Sequence, residues 1–285
     1  MDSAKFLGRS LAVAELVDEA AAVAASDARI LVTGEHGVGK SLLARMLHER
    51  SRRCQLPIVP ISCSLPEPLL EAELFGPAKP GAEARDATHG LLALANGGTV
   101  VLDEVGEMSP RMQKLLLRFL DSADVRSAPP VRILATSSCD LYGRTQQHDF
   151  SEDLFYRLNV VHLVIPSLRE RREDVPVLWE HFVATLSAQH NLVPPEITTD
   201  GLGALQTHLW PGNVRELRMV ADRMVVRYSG RAVAGPHVLA QLGAAQIEPA
   251  PAAPPQRRLG ATPVDSILPG RPTLWSGLRG RASGR

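Results

Sequence analysis

The chain is poor in cysteine and aromatic residues, has no net charge and lacks any long apolar run, and each absence removes a class of protein. Cys54, Cys63 and Cys139 are odd in number and widely spaced. They do not make a disulfide framework, and they fit a reducing cytoplasm. No C-x-x-C or H-E-x-x-H occurs, so the common metal-cluster signatures are missing. Aromatics make up 4% against 45% hydrophobic residues overall, which predicts a mostly aliphatic core. A formal net charge of +0 gives no global attraction for nucleic acid or an anionic surface. The opening "MDSAKFLGRS" has no apolar signal region, and no apolar run is long enough to span a bilayer, so no membrane partner is expected. The 285 residues that remain suit one α/β domain and a smaller second one.

Several segments are readable. "LAVAELVDEAAAVAASDA" (Leu11 to Ala28) has helical spacing, and "RILVTG" reads as a buried strand. "KSLLARMLHERS" and "RMQKLLLRFLDS" are amphipathic helices; "PIVPIS", "GTVVLDEV", "VRILATS" and "NVVHLVIP" are strands. Strands alternating with helices predict a parallel sheet with helices on both faces. After Pro166 only helical patterns follow, which predicts an all-helical second unit. The expected division is 1–167, 168–245 and a Pro/Ala/Arg-rich tail, 246–285, read as disordered. An Arg-rich arm touching nucleic acid is the other reading of that tail. "ELFGPAKPGAEARDATHG" (Glu73 to Gly90) has no apolar period and reads as a surface loop.

"GEHGVGKS" matches G-x-x-x-x-G-K-[ST] between a predicted strand and a predicted helix. The backbone of Gly34, Glu35, His36, Gly37, Val38 and Gly39 would turn N–H groups onto phosphate oxygens, aided by the helix dipole. Lys40 would reach the outer phosphates of a nucleotide and Ser41 would ligate Mg²⁺. His36 is expected to contribute only as a loop residue. "GGTVVLDEV" ends a strand with Asp103, able to hold Mg²⁺ through water, and Glu104, able to position an attacking water. ATP and Mg²⁺ are the cofactors these motifs imply.

"ELFG", "GGTVVLDEVGEM", "DLFYRLNVV", "PSLRERREDVPVL" and "WPGNVRELR" occur in order. Together they resemble the AAA+ domain of the bacterial enhancer-binding proteins, ATPases that activate sigma-54 RNA polymerase. The likeness runs from about Leu7 to Ala240. It implies a P-loop NTPase sheet with a helical lid, and a ring with nucleotide between neighbouring copies. It further implies that Arg215 senses the γ-phosphate in its own subunit, and that Arg157 is an arginine finger for the neighbour.

The chain departs from the family at several points. Ser151 stands where a second finger arginine is usual, Ser138 where a polarising Asn is expected, and Ser62 where an Asn restrains the catalytic glutamate. These losses imply that nucleotide affinity survives better than turnover. The family's GAFTGA loop corresponds to "PGAEARD", in which only Gly81-Ala82 matches and Glu83 replaces the aromatic. The second contact loop is shortened to "DSADVRSAPPV". Both changes argue against a sigma-54 contact and against the nucleotide-trapped complex that activators form. No helix-turn-helix follows the lid in this sequence, so direct DNA binding is not expected. Three readings stay open: an active ATPase in transcription control, a slow nucleotide-binding subunit that joins a homologous AAA+ activator, or a folded chain that has lost its task.

Overall fold

A computed structural model describes residues 6–76, 90–95, 97–123 and 131–243. Gly81, Ala82 and Glu83 lie outside the described residues, as do most of the second loop and the 246–285 tail.

The first part of the chain alternates helix and strand: α1 (Leu11–Ala24), β1 (Ile30–Thr33), α2 (Lys40–Glu49), β2 (Ile58–Ser62), α3 (Glu67–Phe75), α4 (Leu91–Leu94), β3 (Thr99–Asp103), α5 (Pro110–Ala123), β4 (Arg132–Ser137), α6 (Leu141–Gln146), α7 (Glu152–Leu158) and β5 (Val161–Val164). The strands form one parallel sheet in the order β2-β3-β4-β1-β5. β1, β3 and β4 are interior and almost wholly buried, because continuous Val/Ile/Leu runs meet apolar side chains above and below. β2 is an edge strand, where Pro60 can lack an N–H without breaking a central ladder.

The sheet is covered on both faces. On one, Met112, Leu116 and Leu120 of α5 pack with Leu70, Leu74 and Leu154. On the other, Leu16, Ala20 and Ala24 of α1 meet Leu43, Ala44 and Leu47 of α2. In α5 and α1 these residues recur every four positions, and in α2 Leu43 and Leu47 are four apart with Ala44 beside them, which keeps each set on one side. α1 is shorter than its apolar pattern suggests and stops at Ala24, four residues before the end of the segment read as helix.

The second part carries α8 (Val175–His190), β6 (Glu196–Ile197), α9 (Thr199–Thr207), α10 (Asn213–Arg227), β7 (Ala232–Val233) and α11 (Gly235–Gly243). Its own core gathers Trp179, Leu205, Trp210, Leu217, Val220 and Met224. The helical lid also holds a two-residue parallel pairing of β6 with β7, a feature the helical pattern did not foreshadow. Asp174, fully buried just before α8, accepts bonds from the backbone N–H groups of Arg9 and Ser10 at 2.5 and 2.7 Å. Its other oxygen takes the Ser10 hydroxyl at 2.8 Å. One carboxylate thus fastens the start of α1 to the base of the lid.

Candidate phosphate-binding site

Gly34 to Ser41 turns from the end of β1 into α2. Gly34, Gly37 and Gly39 have φ of 150°, 80° and 111°, values that L side chains rarely adopt. Close packing adds a second reason for glycine at Gly37, where a Cβ would strike the carbonyl of Gly212. The loop brings Lys40 back over itself. Its Nζ donates to the carbonyls of Gly34 and Glu35 at 2.9 and 3.2 Å, and the side chain is 6% exposed.

Strand order explains what faces the loop. β4 lies between β1 and β3, so its end stands between the loop after β1 and the acidic pair after β3. Thr136 of β4 donates to Asp103 Oδ1 at 2.5 Å and accepts from the Glu104 N–H at 3.1 Å. Glu104 has a left-handed backbone, φ 57° and ψ 56°. That conformation is costly for a residue with a Cβ, and such residues cluster at functional sites. Its side chain turns toward Lys40 Nζ, 3.0 Å from Oε1. Ser138 completes the group: its N–H donates to Glu104 Oε2 at 2.7 Å and its hydroxyl to Oε1 at 2.5 Å. Burial pushes the Glu104 carboxyl up, but the Ser138 and Lys40 bonds and the Lys40 charge outweigh it, and the carboxyl lies below its ordinary value. Cys63 lies buried nearby, and desolvation with the charges of Asp103 and Glu104 pushes its thiol far up.

The lid closes the site from the other side. Arg215 donates its backbone N–H to the Gly37 carbonyl at 3.2 Å. Asn213, fully buried, accepts from the Leu168 N–H at 2.8 Å and donates to Glu35 Oε2 and the His36 carbonyl, both at 3.0 Å. Arg169 forms a two-pronged ion pair with Glu35. Bonds from Arg169 and then Asn213 hold the Glu35 carboxyl below its usual range. Arg171, 2% exposed, donates to the Val38 carbonyl at 3.1 Å.

A cleft of about 380 Å³ is lined by His36, Gly37, Gly39, Lys40, Ser41, Asp103, Glu104 and Arg215. Most of the residues singled out in the sequence therefore meet around one space. A smaller apolar cavity adjoins it, lined by Phe6, Leu7, Val38, Leu178, Phe182 and Val214. Among the described residues no cluster of three or more His, Cys, Asp or Glu side chains forms a metal cage.

Two residues, His36 and Ser62, sit otherwise than expected. His36 is more than a loop spacer, since its Nδ1 lies 2.9 Å from Ser138 Oγ and 3.6 Å from Glu104. Ser62 ends β2 in register with Asp103 but is exposed, and Ser138 holds Glu104 instead. Arg157 does not line the cleft; it lies on α7, 2.6 Å from Asp121 of α5. The sequence reading missed Thr136, Asn213, Arg169 and Arg218, the last of which also lines the cleft. Asn213 and Arg218 both lie in "GNVRELR", a signal present but read only for Arg215.

Comparison with known proteins places the chain in a family. The sigma-54 interaction domain description matches residues 6–164, and the AAA+ ATPase lid domain description matches residues 169–254. Regulatory protein AtoC of Escherichia coli is 41% identical over 234 residues, covering 79% of this chain and 50% of AtoC. Transcriptional regulatory protein FlbD of Caulobacter vibrioides is 42% identical over 240 residues, covering 80% of this chain and 52% of FlbD. The crystal structure of NtrX from Brucella abortus in complex with ADP superposes with a TM-score of 0.76 at 33% identity, over 87% of this chain and 58% of NtrX. The chain spans about half the length of the curated relatives it matches. Matched by both descriptions and by relatives at about 40% identity, the chain belongs to the sigma-54 interaction-domain family of AAA+ P-loop NTPases.

Proposed function

We propose that the chain binds ATP with Mg²⁺ and hydrolyses it between copies of itself, as part of transcription control. One observation carries this reading: three left-handed glycines aim the loop so that buried Lys40 shares a cleft with Asp103 and Glu104. Loop N–H groups and a helix N-terminus suit phosphates. The apolar cavity beside Val38 and Phe6 suits the base. NtrX, solved with ADP and with ATP, supports a nucleotide here.

The donors Ser41 and Asp103 are a hydroxyl and a carboxylate, hard oxygen ligands of the kind Mg²⁺ takes alongside phosphates and water. Mg²⁺, when bound, offsets charge on the phosphate oxygens. Glu104 is the base that orients water, and its lowered pKa keeps it ionised at neutral pH. Arg215 reaches the γ-phosphate from the lid. Arg157, outside the cleft of its own subunit, serves the cleft of a neighbour. We assign 1–167 to the sheet subdomain and 168–245 to the lid, each built on its own core. A reducing cytoplasm suits the free thiols. The reading does not extend to a sigma-54 contact, since Glu83 replaces the aromatic of the contact loop that the resemblance implies.

Titration with a fluorescent ATP analogue tests the reading. Wild type should bind with a Mg²⁺ dependence, and Lys40→Ala should lose binding by more than about tenfold, the scale of a desolvated charge contact to phosphate. Equal affinities would overturn it. A second reading, a subunit of slow turnover that joins a homologous AAA+ activator, is favoured by Ser151. That residue is the N-cap of α7, its hydroxyl accepting from Leu154 N–H, and brings no second arginine beside Arg157.

A further inference from the structure

Lys40 and Glu104 face a conflict. The phosphate-binding lysine is committed to the carboxylate assigned to water, 3.0 Å away, in a site where the two side chains are 6% and 17% exposed. A nucleotide phosphate needs that same ammonium, so entry of phosphate must break the pair. What keeps the pair together is Ser138. Both Glu104 oxygens receive bonds from it, one from N–H at 2.7 Å and one from the hydroxyl at 2.5 Å. The same hydroxyl oxygen accepts from Lys40 Nζ at 2.5 Å. A hydroxyl has one proton, and here it is spent on Glu104. An amide at this position would have two N–H donors and could serve a carboxylate and a phosphate together.

We propose that Ser138 is a positioning residue that parks Glu104 on Lys40 in the nucleotide-free protein, so that nucleotide binds by displacing a latched ion pair. This rests on the nucleotide reading of the cleft. The latch lowers apparent affinity, because only the opened fraction of the protein can accept a phosphate. It also keeps Glu104 from acting before a phosphate has claimed Lys40. Turnover and binding are thereby set by one hydroxyl at the end of β4.

ADP is the probe, since it lacks the γ-phosphate that Ser138 could otherwise touch. Loss of the hydroxyl in Ser138→Ala should tighten ADP binding about three- to tenfold, the effect of one charge-assisted hydrogen bond on a two-state equilibrium. Damage to the fold would weaken binding, so the sign separates a latch from a structural role. Ser138→Thr, which keeps the hydroxyl, should match wild type. Ser138→Cys keeps the volume but donates weakly, and should fall on the Ala side. In a Glu104→Ala background, already tightened, Ser138→Ala should add nothing, because Ser138 acts through Glu104. Unchanged or weaker ADP binding by Ser138→Ala, or a gain that persists without Glu104, overturns the proposal. If Lys40→Ala and wild type bind ADP equally, the nucleotide reading fails and the latch falls with it. If Lys40→Ala loses ADP while Ser138→Ala shows no gain, the latch alone is wrong.

Discussion

Asn213 does with one amide what a loop closure would do with several residues. Its oxygen takes a buried N–H of Leu168, and its nitrogen serves Glu35 and the His36 carbonyl. It also sits at φ 52°, in the left-handed region that Asn tolerates better than most residues. Asn213→Ala should therefore lose about 3 kcal/mol of stability: the Leu168 N–H stays buried without a partner, and the backbone strain rises. Asn213→Gly loses the same bonds without the strain and should be about 1 kcal/mol less damaging. Urea denaturation of the three proteins checks both numbers. Equal stability of Asn213→Ala and wild type would mean that the amide bonds do not hold the lid. None of this was legible beforehand. The partners of Asn213 lie 45 and 178 residues away in sequence, and no local pattern announces such a meeting.

Elements were easier to read than contacts. The interior strands show in the sequence because burial on both faces demands unbroken apolar runs, as in "TVVLD" and "RILATS". The phosphate loop shows because the positive φ of Gly34, Gly37 and Gly39 demands glycine locally, whatever else packs on it. β6 and β7 stayed hidden, since two residues each carry no period. The contacts of Ser138 with Lys40 and Glu104 are not legible locally, because only the order β3-β4-β1 brings the end of β4 against both neighbours. The junction of loop and lid yields a test at this scale. A methyl group at Gly37 would combine φ of 80° with a clash on the Gly212 carbonyl at the foot of α10. Gly37→Ala should cut nucleotide affinity by more than about tenfold while the helix content of the circular dichroism spectrum stays near wild type, since strain and overpacking of a few kcal/mol fall on one junction. Normal affinity in this variant would show that loop and lid need not touch for binding.

For the whole molecule, the position of Arg157 matters more than its partner. It lies on α7, away from the cleft of its own chain, and pairs with half-exposed Asp121. Turnover per subunit should rise with protein concentration as neighbours supply arginines, and Arg157→Ala should flatten that rise while leaving nucleotide affinity within about twofold. Light scattering with a non-hydrolysable ATP analogue should show assembly in parallel. A chain that hydrolyses ATP equally well when dilute and monomeric would refute the shared site. The carboxylate of Asp174 and the amide of Asn213 have a mechanical meaning as well. One clamps the first turn of α1 to the root of α8, the other clamps the glycine loop to the foot of α10. The lid is thus fastened at two points that would act as pivots, one at His36 of the cleft and one two residues beyond Leu7 of the apolar cavity. α8 has 16 residues and is about 24 Å long. A few degrees of tilt at those pivots would sweep its far end by one or two ångströms. Occupancy of a small cleft would be geared up into displacement of an outer surface, as a short crank drives a long arm.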